Sequence, residues 1–230
     1  MTESGNPLNI TTRWTQIDAL RGDNAESAWN WFVDRYRPFV RGVLRATLQT
    51  PADAAPAEDE FWGYVYLSGA IHRADRDRRF RAFLSGTVRN FARAWLRKRQ
   101  GDATPTEPLP EQLQEQDAEF ELGLWADTLI TIGLDALEQE NPRTAQAMVA
   151  FYGLPRGGNT HGPRSASEVG ELVGCSAQAV YMLLMRGRER LRQLLEQELQ
   201  QGCSDAESVR DELQAVLLSA QKRHPGLVRD

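Results

Sequence analysis

The sequence predicts an all-α fold, and three observations carry that prediction. Apolar residues recur every three or four positions in most segments, as in Phe80, Phe83, Leu84, Val88, Phe91 and Trp95, which gathers them on one helix face. Two such segments meet at Gly174-Cys175-Ser176, a glycine that can take a left-handed helix stop followed by a hydroxyl that can cap the next helix. The 230 residues are 41% apolar and 26% charged, enough to bury one or two small cores, and we take two.

The N-terminal elements follow in order. Residues 1–12 read as a disordered polar tail. Trp14, Ile17 and Leu20 stand at helical spacing before a break at Gly22-Asp23. A longer helix runs through Ala28, Phe32, Tyr36, Phe39, Val40 and Leu44, and Pro38 is expected to bend or divide it. The stretch Pro51 to Glu60 reads as a loop, with Asp59 or a neighbour starting the next helix because acidic groups suit the positive end of the helix dipole. That helix carries Phe61, Tyr64, Val65 and Leu67. After a charged turn from Asp75 to Arg79 comes the helix Phe80 to Gln100, whose apolar stripe leaves Arg81, Arg89, Asn90, Arg93, Arg97, Lys98 and Arg99 on the remaining surface. Such a helix is either a core helix with a solvated basic face or one that neutralises phosphates and receives unstacked bases.

Residues 101–120, rich in Pro, Glu and Gln with little apolar content, read as a flexible acidic linker. Helical pattern resumes at Leu122, Leu124, Trp125, Leu129, Ile132, Leu134 and Leu137, stops at Asn141-Pro142, and restarts with Ala145, Met148, Val149 and Phe151. The segment Gly153 to Pro163 is a connector, since it lacks the Gly-Lys-Ser/Thr ending of a phosphate loop. Ala166, Val169, Leu172 and Val173 line the next helix, and Val180, Leu184, Leu191 and Leu195 the buried side of the one after the corner. This punctuation fits a helix-turn-helix, which offers the start of its second helix to the major groove, and equally an ordinary helical hairpin. Ser204 caps a last helix through Val209, Leu213, Val216 and Leu217.

Net charge is −5, yet its distribution is not that of an evenly acidic chain. Between Arg73 and Arg99 ten basic residues face only Asp75 and Asp77, whereas from Gly101 to Glu140 there are eleven acids and no base. Separation of this kind marks a local footprint for an anion beside a segment that avoids or mimics it.

Glu168, Val169, Gly174, Ser176, Val180, Arg186, Arg188, Leu191 and Arg192 stand at the positions that mark the C-terminal DNA-binding domain (domain 4) of bacterial sigma factors of the extracytoplasmic-function type, which this stretch resembles. Tyr181 and Leu183 depart from it, standing where Lys and Arg are usual. Phe80-Arg-Ala-Phe-Leu84, then Arg89-Asn90, then the basic end, is similar to the domain 2 segment of the same family that recognises and opens the minus-10 element. The preceding Asp59, Glu60, Phe61 and Trp62 match the family's docking motif for the β′ clamp helices, with Trp62 where glutamine is common.

The resemblance implies domain 2 over residues 13–100, domain 4 over 121–200, and a C-terminal helical extension over 201–230. It also implies a non-enzymatic role, directing RNA polymerase core to promoters. It assigns minus-10 contacts to Arg89, Asn90, Arg93, Arg97, Lys98 and Arg99, and minus-35 contacts to Ser176, Gln178, Ala179, Tyr181, Met182, Arg186 and Arg188. Core contacts fall to Asp59, Glu60 and Trp62. Partners would be the β′ clamp, the β flap, promoter DNA and an anti-sigma protein, and the linker would cross the polymerase or serve as a plain spacer. Two rivals are a DNA-binding regulator that never engages polymerase and a protein-interaction adaptor on a degenerate sigma scaffold.

No paired carboxylates, nucleophile–base set or nucleotide loop suggests catalysis or a small-molecule substrate. Cys175 and Cys203 read as free thiols, and His72, His161 and His224 as scattered histidines, so neither metal nor cofactor is expected. Without a long apolar run or a leader-like start, a cytoplasmic protein with no membrane insertion is expected.

Overall fold

The computed structural model describes residues 17–20, 25–48, 50–74, 80–100, 111–154, 162–200 and 206–227, and among these every regular element is helical. A helical turn at 17–19 puts Ile17 in the core. Helix α1 (Ala25–Leu48) buries Phe32, Tyr36, Phe39, Val40, Val43 and Leu44 on one stripe. Pro38 does not divide it. A mid-helix proline costs about 3 kcal/mol, but Pro38 points to solvent while Tyr36, Phe39 and Val40 on the opposite side are fully buried, and that packing holds the helix through it.

Helix α2 (Pro51–Ser68) begins eight residues before the expected start at Asp59. The presumed loop is its first two turns. Pro51 occupies the first turn, where its missing N–H would have no partner in any case, and its fixed φ is already helical. The buried stripe then starts with Ala54 and Ala57 and continues to Phe61 and Val65. The helix ends at Gly69, which adopts φ 59° and bonds back to the Tyr66 carbonyl. A short 3-10 turn (Ala70–Arg73) buries Ala70 and Ile71. Helix α3 (Phe80–Gln100) turns Phe80, Leu84, Val88, Ala92 and Trp95 inward.

Helix α4 (Glu111–Glu140) corrects a second expectation, because residues 111–119 of the presumed flexible linker are helical. Once the prolines at 105, 108 and 110 are passed, the segment is built from Glu, Gln, Leu and Ala, which are strong helix formers. Residues 101–110 lie outside the described ones.

Helices α5 (Pro142–Tyr152), α6 (Ala166–Val173), α7 (Ala177–Gln200) and α8 (Ala206–Arg223) complete the chain. Asn141 caps α5 by accepting from the Thr144 amide at 3.0 Å.

Helix α4 joins the two groups of helices. It packs on α1 from the N-terminal group and on α5, α7 and α8 from the C-terminal group, and one buried cluster runs through all of them. Trp125 lies parallel to Tyr36 at 6.1 Å and meets Phe39 edge-on at 5.3 Å. Gly42 lets α1 approach this closely, since a Cβ there would fall 2.6 Å from a Leu124 methyl.

Candidate nucleic-acid interface

The corner between α6 and α7 is built by reciprocal caps. The Ser165 hydroxyl accepts from the Glu168 amide at 3.3 Å, while the Ser165 amide donates to the Glu168 carboxylate at 2.8 Å. This satisfies two free amides at the start of α6. Hydrogen bonds from the Ser165 hydroxyl and amide hold the Glu168 carboxyl below its ordinary pKa. Gly174 ends α6 in the left-handed conformation at φ 69°, and its carbonyl accepts from Arg143 of α5 at 2.7 Å. Gly170 must lack a side chain, because a Cβ would lie 2.5 Å from the Cys175 carbonyl oxygen. Ser176 then starts α7 by accepting from the Ala179 amide at 3.2 Å.

Beyond the corner, α7 offers Ser176, Gln178, Tyr181, Met182 and Arg186 to solvent, all of them residues expected to face DNA. Tyr181 is 59% exposed and Met182 46%, so this face is amphipathic and carries no cation before Arg186. Ala179 and Leu183, by contrast, are half-buried. Leu183 packs on the core cluster and so does not belong to the open face of α7. Arg188 is also drawn inward, with its guanidinium 3.4 Å from the Gly226 carbonyl and close enough to Tyr152 to bond it. Burial raises the Tyr152 hydroxyl pKa, and Arg188 offsets part of that rise.

Between α7 and α8 lies a groove of about 970 Å³ floored by Ile130. It is lined by the exposed Arg186, Arg192 and Arg210 and by the exposed Glu189. Arg190, on the same groove, is held by two hydrogen bonds to Glu140 at 2.7 and 2.6 Å. That hydrogen bonding lowers the Glu140 pKa and raises that of Arg190.

The basic helix α3 divides into open and committed groups. Asn90, Arg97 and Lys98 are exposed, and Arg93 is half-buried. Arg99 stacks over Trp95 at 4.7 Å and pairs with Asp53 at 2.6 Å, yet its side chain remains 55% exposed. Arg89 is committed to Glu121 of α4 at 2.6 Å. Arg81, which the resemblance did not single out, is held by Glu212 of α8 at 2.8 and 3.4 Å.

On α2, Asp59 and Glu60 are exposed as expected of docking residues, but Trp62 is not available. Its ring is buried among Trp29, Phe32 and Phe61, because position 62 falls on the inward stripe. The most exposed apolar groups on this helix are Tyr66, at 60%, and Leu67, at 85%. They stand seven residues after Asp59 and Glu60, two helical turns along the same face, a spacing that was readable in the sequence.

Among the described residues no group of three or more His, Cys, Asp or Glu side chains gathers as metal ligands, and no helix is long and apolar enough to cross a membrane. Comparison of the chain with protein-family models, with curated proteins and with solved structures finds no match in any of the three.

Proposed function

We propose that this protein is a sigma factor of the extracytoplasmic-function type, which binds RNA polymerase core and brings it to promoters. The observation that carries the proposal is the capped corner at Gly170 to Ser176, followed by the solvent-facing first turns of α7. A helix held rigidly by its N-terminus and open along that end suits the major groove. The basic, partly open surface of α3 supplies a second contact, for the minus-10 region, through Asn90, Arg93, Arg97, Lys98 and Arg99. Asp59, Glu60, Tyr66 and Leu67 of α2 supply the face for the polymerase clamp.

The amphipathic face of α7 supports a second reading, that of a protein-interaction adaptor, because Tyr181, Met182 and Met185 offer apolar contact and no positive charge. Capture of purified core polymerase, followed by run-off transcription on a promoter library, separates the two. The sigma reading expects core capture that Asp59→Arg strongly reduces without loss of far-UV helix signal, and promoter-dependent transcripts. DNA binding without core capture indicates a regulator, and neither activity indicates the adaptor.

A further inference from the structure

Three arginines of α1 and α3 are held by three glutamates of α4, α7 and α8. Arg89 of α3 meets Glu121 of α4 at 2.6 Å, Arg81 of α3 meets Glu212 of α8 at 2.8 Å, and Arg35 of α1 meets Glu198 of α7. The three carboxylates are almost fully buried: Glu212 is 2% exposed, Glu198 6% and Glu121 8%. Neither α7 nor α8 packs along α1 or α3. Where these helices meet, buried charge pairs form part of the join.

Positions 81, 89, 93 and 97 fall on a single i, i+4 row of α3, about 24 Å long at the helical rise. The first half of this row is clamped by carboxylates and the second half is not. Guanidinium donates to phosphate in the same forked geometry that it offers carboxylate, so phosphates compete directly for Arg81 and Arg89. An ion pair buried at a join also adds little net stability. The desolvation cost of the charges offsets much of their attraction, and either partner can be rehydrated on release.

We propose that Glu121 and Glu212 form an intramolecular mask over the N-terminal half of the arginine row, and that single-stranded nucleic acid displaces it. The mask rests on α3 being a nucleic-acid face, as the proposed function has it. In the closed molecule only the end of the row at Arg93 and Arg97 is open. Occupation of the full row requires α8 to lift Glu212 from Arg81.

The test compares the full-length protein, Glu121→Gln/Glu212→Gln, and Glu171→Gln/Glu196→Gln, a control that removes two exposed acids and so makes the same change in net charge. The probe is a 20-nucleotide single-stranded DNA, titrated by fluorescence anisotropy over a series of salt concentrations. The unmasked variant, Glu121→Gln/Glu212→Gln, is expected to bind several-fold more tightly than the control at low salt. Its log–log salt slope should be steeper by roughly 0.7 per freed arginine. Adding Arg81→Ala to Glu212→Gln should cancel that variant's gain. Hydrogen exchange across α8 should quicken in the unmodified protein when the oligonucleotide binds. Equal affinity and slope for the unmasked variant and the control would overturn the proposal, as would α8 exchange unchanged by the oligonucleotide. Should no form bind the oligonucleotide while α8 exchange still rises in the unmasked variant, the assignment of α3 to nucleic acid fails and the clasp between the helices stands. Thermal melts, with the single Glu212→Gln variant as the milder substitution, separate opening from unfolding.

Discussion

Asp127 concentrates the attachment of α8 on one carboxylate. Arg223 reaches it through Nε at 3.0 Å, and His224 Nε2 lies 3.2 Å away. Burial opposes its ionisation, but the hydrogen bonds and charges of His224 and Arg223 outweigh burial and hold its pKa below the usual aspartate range. A carboxyl depressed on folding contributes stability that is present above its unfolded pKa, near 4, and is lost as pH falls through the lower folded value. Asp127→Asn is therefore expected to cost about 1–3 kcal/mol at neutral pH. That difference from the unmodified chain should shrink as pH falls from about 5 toward 3, which chemical denaturation at several pH values would measure. A difference constant with pH would mean that the contact acts by packing alone.

Among the elements, α7 separates two substitutions that the sequence treats as equivalent. Met182 is exposed, whereas Leu183 packs on the core. If α7 enters the groove, Met182→Arg should leave the melting temperature unchanged and add up to about one unit to the salt slope for a minus-35 duplex. Leu183→Arg should instead cost about 1–2 kcal/mol of stability, since it drives a charge against apolar neighbours.

The difference between these neighbours shows where sequence reasoning reached its limit. The stripe of α3 and the stop-and-cap of Gly174 and Ser176 were legible because local spacing determines them. A face that is shared with another helix is not local, so the burial of Leu183, Arg188 and Trp62 was hidden. The early starts of α2 and α4 were hidden for a different reason. Pro51 and the prolines before residue 111 read as breaks, yet proline is also a favourable helix opener, and only the packing of Ala54 and Ala57 resolves the ambiguity for α2.

At the scale of the molecule, α4 makes the N- and C-terminal helix groups depend on each other. All six tryptophans stand at or before residue 125, so their fluorescence reports on the N-terminal group and α4 alone, while far-UV signal reports on every helix. If α4 couples the groups, the two signals should lose structure in one coincident transition. Trp125→Ala should cost about 3–5 kcal/mol and pull the two transitions apart, because it removes the ring that seats α4 on Tyr36 and Phe39.

The clasps have a further consequence for the order in which the protein forms. Arg35 lies 163 residues from Glu198, and Arg81 lies 131 from Glu212. Contacts of such sequence separation must close long loops before they return any energy, which places them late on a folding route. During synthesis the arginines leave the ribosome long before their glutamates, so α1 and α3 first meet the cell with their positive charge uncovered. If α3 binds polyanions, the nascent chain should do so more strongly than the folded one until α7 and α8 have emerged and covered those arginines.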